Sequence, residues 1–328
     1  MANPLVAPTP GASLAPPARP ARSVAVLVPC HNEALTVAKV VGDFRRALPD
    51  AVIYVYDNRS TDATAPAADA AGAIVRHENR PGKGNVVRRM FGDIDADVYL
   101  LVDGDGTYDA SAAPAMIGML LEGNLDMVVA ARRGIYDDAH RRGHGLGNRV
   151  FNRFYRATFG PGFRDIFSGY RAFSRRFVKS FPAISRGFEI ETEMSVHASQ
   201  LRLPVAEIEV DYGIRPDGSV SKLSTVGDAF RIFGMMLLLY KEVRPARFFG
   251  FVAAALAGVA VALGLPLVET WLETGLVPRF PTAILATGLI VLAGIALTCG
   301  LILDSVARGR LEQKRFAYLA QCGDRAAR

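Results

Sequence analysis

The stretch "DVYLLVDGDGTYDA", residues 97–110, runs a short apolar strand into two aspartates, Asp103 and Asp105, that a single glycine separates. At a separation of about 5 Å and an effective dielectric near 20, two such carboxylates repel by roughly 3 kcal/mol, so positive charge belongs between them. Two further polar clusters follow apolar runs in the same way, "VPCHNE" at 28–33 and "YDNRSTDAT" at 56–64. Asp, Asn and Gly after a strand are ordinary turn and cap residues, and Asp62 is read as a helix-start residue of that kind. Three polar strand ends on one rim, however, outline a pocket. "GKG" at 82–84 adds two glycines that let backbone approach a ligand, and Lys83 adds a point charge. Between Arg132 and Arg176, eleven arginines stand against three aspartates, a balance of +8 that exceeds the +6 of the whole chain.

These groups need elements that hold them at one rim. "SVAVLVP" (23–29) is a continuous apolar strand, and in the segment after it Val37, Val40, Val41, Phe44 and Leu48 fall on one helical face. "AVIYVY" (51–56) is the next strand. An alanine-rich helix, a strand "AIVRH" (73–77), a helix opening after "GKGN" and the strand "DVYLLV" (97–102) follow. That alternation predicts an α/β fold with a parallel sheet covered by helices on both faces. Ligands of such sheets bind outside the carboxyl ends of the strands, where the polar clusters fall.

Of the 328 residues, 50% are hydrophobic, and the apolar excess is concentrated near the C-terminal end. Residues 248–268 and 281–303, 21 and 23 in number, carry no charge. At about 1.5 Å per residue each crosses a hydrocarbon core of about 30 Å, and soluble helices rarely run so far without a polar face. They predict a transmembrane hairpin. Lys241, Arg244 and Arg247 precede it and Arg308, Arg310, Lys314 and Arg315 follow it, while its loop holds Glu269, Glu273 and only Arg279. A multi-pass protein of the inner (cytoplasmic) membrane is expected, with the α/β domain and both termini cytoplasmic. Residues 1–22 contain six prolines and no apolar signal-peptide core, and read as a disordered tail. The α/β domain is expected over 23–225, an interfacial helix over 226–247, the hairpin over 248–303 and a cytosolic tail over 304–328. In the interfacial segment Val226, Phe230, Phe233, Leu237 and Tyr240 repeat at helical spacing, which suits the membrane interface or packing on the domain equally. The arginine-rich stretch, tethered beside an anionic leaflet, is read as lipid-facing and not as a nucleic-acid site. Cys30, Cys299 and Cys322 are too scattered for a disulfide framework or a zinc site. "GHGLGN" (143–148) follows no strand and is rejected as a dinucleotide fingerprint.

The succession "VAVLVPCHNE", "YDNRSTDAT", "NRPGKGNVVRRM" and "LVDGDGTYDA" resembles the family 2 glycosyltransferases of GT-A fold, over residues 23 to about 225. The resemblance implies a Rossmann-like domain for nucleotide-diphosphate sugars. It places Pro29, His31, Glu33 and Asp57 on the nucleotide base and ribose, and Lys83, Gly104 and Arg132 elsewhere on the sugar nucleotide. His31 stands where tyrosine is common, and Asn58 replaces a usual second aspartate. Asp103 and Asp105 become ligands of Mg²⁺ or Mn²⁺, which takes one or two carboxylates, diphosphate oxygens and several waters. As a Lewis acid the ion stabilises charge on the leaving diphosphate.

"DIFSGYRAFSRRFV" (165–178) and "YGIRPDGSVSKL" (212–223) narrow the resemblance to the polyprenyl-phosphate glycosyltransferases, dolichyl-phosphate mannose synthases among them. It implies Asp165, Ser168 and Arg171 at the reaction centre with Asp105. It also implies Arg132, Arg215, Ser219 and Lys222 on phosphate groups, which an arginine fork binds bidentately. Glu189, Glu191 and Glu193 are read as structural, pairing with the arginine patch. The expected function is metal-dependent, inverting transfer of a hexose from a nucleotide-diphosphate sugar, a UDP-sugar by preference, to polyprenyl (undecaprenyl) phosphate. A processive polysaccharide synthase would carry a QxxRW motif, yet Trp271, the only tryptophan, follows Glu269 and Thr270 in the hairpin loop. A non-catalytic scaffold on the same fold has no need of an intact acidic pair. Small residues in the hairpin leave room for a homo-oligomer.

Overall fold

The computed structural model describes residues 22–133, 153, 155–158, 160, 163–213, 233–234 and 237–322. Strand β1 (Val24–Cys30) pairs in parallel with β2 (Val52–Asp57) and β4 (Val98–Leu101), and β2 pairs with β3 (Ile74–His77). On the other side lie β5 (Met127–Arg133), β6 (Arg171–Ser174) and β7 (Val205–Asp211), giving one sheet of order β3-β2-β1-β4-β6-β5-β7. Alternate residues of β1 point to opposite faces. Leu27 joins a core with α3 (Lys83–Asp93), α5 (Arg175–Ser180) and α6 (Ile190–Leu201). Val26 and Val28 join a second core with α1 (Val37–Ala47), α2 (Thr64–Ala70) and α4 (Ala113–Glu122). The apolar face expected for α1 is the buried one, through Val37, Val40, Val41 and Phe44.

The sheet is mixed: the parallel arrangement expected from the alternation holds for β1 to β4, and β6 departs from it. β6 runs antiparallel between β4 and β5, with Arg171 opposite both Leu101 and Val129. The chain leaves β5 at the rim that carries the polar clusters and starts β6 at that same rim. A strand that starts where its neighbour ends runs back down the sheet, as the antiparallel pairing of β6 with β5 shows.

Two helices are long and apolar enough to cross a membrane, α7 (Pro245–Thr274) and α8 (Phe280–Cys322). Only 11% and 17% of their apolar windows are buried, so these are not core helices of the domain. α8 continues past residue 303 through Cys322, where a tail was expected, and its last turns dock on the domain. Leu311 and Tyr318 pack against the first core. The Tyr318 hydroxyl donates to Asp126 Oδ2 at 2.8 Å, Lys314 to Gln200 at 3.0 Å, and Arg175 to Gln321 at 3.1 Å. Asp126 is fully buried and also accepts from Ser174 Oγ at 2.7 Å and pairs with Arg176. Ahead of α7, residues 233–234 and 237–243 are helical; Leu239 is buried, whereas Phe233 and Leu238 are exposed. Val226 and Phe230 lie outside the described residues.

Candidate functional site

At the carboxyl ends of β1, β2 and β4 the rim opens into a cavity of about 540 Å³. Pro29 lines it from β1, His31 and Glu33 from the turn after β1, Asn58 from just past β2, Lys83 from α3, and Asp103, Gly104 and Asp105 from the loop after β4. A larger groove of about 730 Å³ lies outside that loop, against Lys39 and Asp43 of α1, and holds neither Asp103 nor Asp105. Asp57, also expected here, sits one residue behind the lining. It is buried, accepts from Ser60 N–H at 3.3 Å and faces His77 Nδ1 at 3.4 Å. Its Oδ1 is buried with no hydrogen-bond partner among the described residues. Asp62 is the helix-start residue anticipated: its Oδ1 accepts from Thr64 N–H at 3.0 Å, one residue into α2, and its Oδ2 from Ala34 N–H at 3.1 Å. Those bonds, with that from the Thr64 hydroxyl, outweigh burial and hold its carboxyl below the usual range.

Asn58 does what an aspartate cannot. Its amide nitrogen donates to the carbonyls of Glu78 and Arg80, both at 2.8 Å, while its Oδ1 accepts from Gly82 N–H at 2.8 Å. The loop that leads into α3 is thereby fastened to the end of β2. His31 Nδ1 lies 2.8 Å from Asn58 carbonyl oxygen, an acceptor that requires the proton on Nδ1.

The acidic pair is asymmetric. Asp105 is 3% exposed, and its Oδ1 accepts from the Thr107 hydroxyl at 2.6 Å and the Thr107 N–H at 3.1 Å. Asp103 is more open and pairs with Lys83, whose ammonium also pairs with Glu191 on α6. Burial opposes the Lys83 charge, but Asp103 and Glu191 outweigh it and hold its pKa above the ordinary lysine range. For Glu191 burial wins over Lys83, and its carboxyl is held above the usual carboxylate range. Glu191 therefore pairs with a lysine that lines this pocket, and among the described residues no ion pair joins it to the arginine patch, where the sequence reading had one. Glu193 accepts from the N–H groups of Ile184 and Ser185 at 2.9 and 2.7 Å, and so holds the segment ahead of α6.

That segment also accounts for "GKG". A β-carbon on Gly82 would stand 2.2 Å from the Arg186 carbonyl oxygen, and one on Gly84 would stand 2.2 Å from that of Ser185. The glycines admit the chain's own backbone, where the sequence reading had a ligand's approach. Gly169 serves Asp103 likewise, since a β-carbon there would lie 2.3 Å from Asp103 Oδ2. Its N–H donates to the Tyr108 hydroxyl at 2.9 Å.

Of the residues expected on the acceptor side, Arg132, Asp165, Ser168 and Arg171 are described. Arg171 is fully buried, donating to the carbonyls of Ser168 and Ile166, each at 2.8 Å, and to Ser195 Oγ at 2.9 Å. Ser168 is equally buried and donates to the Ala130 carbonyl at 2.6 Å. Both brace the 165–170 loop from beneath, because a guanidinium sealed against carbonyls has no face left for a phosphate. Arg132 gives its fork to Asp165, at 2.7 Å from Nε and 2.9 Å from Nη2, and lies over the Tyr212 ring. Burial would raise the Asp165 carboxyl, but Arg132 outweighs it and holds it below the usual range. Arg215, Ser219 and Lys222 lie outside the described residues. Asn58, Gly169 and Glu191 are the site residues that the sequence reading did not assign.

A mixed sheet of this order, with an acidic pair in a pocket after its fourth strand, is the architecture of GT-A glycosyltransferases. The chain belongs to glycosyl transferase family 2, a family of nucleotide-sugar transferases, whose sequence profile matches residues 25–181. It is 38% identical over 251 residues to the glycosyltransferase AglJ of Haloferax volcanii, covering 76% of this chain and 82% of that protein. Against the polyprenol monophosphomannose synthase of Mycolicibacterium smegmatis it is 26% identical over 223 residues, 63% of this chain and 83% of that one. A crystal structure of Mycobacterium tuberculosis glucosyl-3-phosphoglycerate synthase with Mn²⁺ and UDP-glucose matches with a TM-score of 0.55 at 25% identity, covering 67% of this chain and 79% of that one.

Proposed function

We propose that this protein is a membrane-anchored, inverting transferase that moves a hexose from a nucleotide-diphosphate sugar, a UDP-sugar by preference, to the phosphate of a polyprenyl lipid such as undecaprenyl phosphate. The observation that carries the reading is the continuity of α8, which passes from a membrane-length apolar segment into direct contact with the domain that holds the pocket. A lipid phosphate at the bilayer surface is the acceptor such a tether favours. The likeness to a polyprenol monophosphomannose synthase supports the lipid, and that to a synthase crystallised with UDP-glucose supports the nucleotide. The Lys and Arg flanking the hairpin support a cytoplasmic side for the pocket. The polyprenyl-monophosphate sugar then serves glycan modification beyond the membrane.

The donor set suits Mg²⁺ or Mn²⁺. Asp103 and Asp105 supply two hard carboxylates opening into one cavity, and these ions take one or two carboxylates with phosphate oxygens and water. When bound, the ion neutralises charge developing on the leaving diphosphate. The chain's own residues bind and orient. Asp57 Oδ1 accepts from a donor group of the nucleoside, Asn58 fixes the loop over it, and Lys83 places an ammonium beside the diphosphate. An oxygen of the lipid phosphate attacks the anomeric carbon, and the bond from that carbon to the diphosphate breaks with its electron pair leaving on the nucleoside diphosphate. The acceptor is already ionised near neutral pH, so no side chain has to remove a proton, and positioning supplies the rate. Arg215, Ser219 and Lys222 are retained as ligands of the lipid phosphate.

The test uses purified full-length protein in detergent with Mn²⁺, undecaprenyl phosphate and labelled UDP- and GDP-sugars. The expected result is label in the organic phase and an equal amount of nucleoside diphosphate, both lost in Asp105→Ala. Release of nucleoside monophosphate, or transfer that proceeds without the lipid, contradicts the reading.

A further inference from the structure

Lys83, Asp103 and Glu191 come from three elements distant in sequence. Lys83 opens α3, Asp103 follows β4, and Glu191 is the second residue of α6. They meet because Gly82 and Gly84 give way to the carbonyls of Arg186 and Ser185, which draws the start of α6 against the start of α3. The Lys83 ammonium then touches Asp103 Oδ1 and Glu191 Oε1 together. The two carboxylates differ in depth: the Asp103 side chain is 29% exposed, that of Glu191 4%, and that of Lys83 8%. Glu191 Oε2 is buried with no hydrogen-bond partner among the described residues; Lys83 is the cation paired with its Oε1, and buried Arg171 attracts the carboxylate from further off.

One ammonium is thus shared between an inner carboxylate and an outer one. The outer one, Asp103, is also a ligand in the cation site proposed above. A lysine held by Asp103 alone competes with a divalent ion for the same oxygens, and like charges about 4 Å apart repel strongly in a partly buried site. Resting on that cation site, we infer that Glu191 is a positioning residue: it draws Lys83 inward and so leaves Asp103 able to hold the divalent ion together with Asp105. The role is exerted through Lys83 and needs no contact between Glu191 and substrate.

Mn²⁺ binding to the full-length protein in detergent, followed by electron paramagnetic resonance of the free ion, reads this without turnover. Glu191→Gln is expected to weaken Mn²⁺ affinity by about tenfold, and by less than about threefold when Lys83 is already Met, because the competitor is then gone. Glu191→Asp keeps the charge but shortens the tether by one methylene, and is expected to weaken Mn²⁺ binding as well. An equal loss from Glu191→Gln in both lysine backgrounds, or native affinity in Glu191→Asp, reduces Glu191 to a plain negative charge and overturns the inference. Melting temperatures identify any variant that fails to fold, and Glu191→Asp then carries the test alone. Mn²⁺ binding that Asp105→Asn weakens but Glu191→Gln does not sinks this inference and leaves the cation site standing. Wild-type protein that binds no Mn²⁺ sinks both.

Discussion

Gly169→Ala is the substitution that separates the fold from its chemistry. The new methyl would lie 2.3 Å from Asp103 Oδ2, 2.8 Å from its Cγ and 2.9 Å from Oδ1. Non-bonded heavy atoms rest at about 3.5 Å, so the carboxylate has to retreat by about 1 Å. It can do so by rotating toward the cavity, since the Asp103 side chain is 29% exposed and the hydrogen bond from Gly169 N–H to Tyr108 is unaffected. Stability is therefore expected to change by less than about 1 kcal/mol. A misplacement of about 1 Å at a reacting centre costs about 10²-fold, or about 2.7 kcal/mol in activation free energy. Steady-state kcat/KM is measured across a Mn²⁺ titration, with a melting temperature on each preparation. Gly118→Ala on α4 is the control, because no atom lies within 4 Å of a β-carbon there. The expected outcome is a loss of about 10²-fold for Gly169→Ala, a raised Mn²⁺ requirement, an unchanged melting temperature and native turnover in the control. Native kcat/KM in Gly169→Ala would refute the placement of Asp103 in the reacting site.

Three further outcomes follow from particular bonds. Asn58→Asp removes both hydrogens given to Glu78 and Arg80 and sets a carboxylate against their carbonyls; a loss of about 2–3 kcal/mol in stability and a raised KM for the sugar nucleotide are expected, by thermal melts and kinetics. His197 lies edge-on to Phe177 and Phe181 with neither ring nitrogen hydrogen-bonded among the described residues, and burial, helped by the Lys314 charge, pushes its pKa down to about 3. Below an unfolded-chain pKa of about 6.5 the unfolded state takes up a proton that the folded state refuses. Stability is then complete above about pH 6.5 and falls by about 1.4 kcal/mol per pH unit toward pH 3, a slope that His197→Leu removes from melting curves recorded across that range. Tyr318→Phe leaves buried Asp126 one hydrogen bond short, and a cost of about 1–3 kcal/mol should appear as faster proteolytic cleavage of the end of α8.

Where long apolar runs carried the information, the sequence was readable. β1, β2, β4 and α1 emerge from period alone, and the three polar strand ends meet as their positions after parallel strands demand. β6 escaped because "RAFS" is four residues long and begins with arginine; it becomes a strand only by pairing with β4 and β5. The arginines illustrate a second limit. Arg132 and Arg171 look alike in a basic stretch, yet one gives its fork to Asp165 and the other to backbone carbonyls in the core. What an arginine binds depends on which oxygens tertiary packing brings to it, and spacing does not encode that. Lys83 and Glu191 are paired by the close approach of two helix starts, which the glycines permit but do not announce. The end of α8 was missed because its contacts, Leu311 and Tyr318, lie beyond the apolar span in a stretch that also carries Asp304, Arg308, Arg310, Glu312, Lys314 and Arg315.

The proposed transfer requires a sugar nucleotide in the 540 Å³ cavity, with a divalent ion on the acidic pair. Anomalous diffraction from crystals of the protein grown with Mn²⁺ and UDP addresses this directly. The predicted result is one strong peak ligated by Asp103 and Asp105 and by the diphosphate, with the nucleoside against Asp57. A peak elsewhere, or a nucleotide bound while both carboxylates turn away from it, would contradict the account.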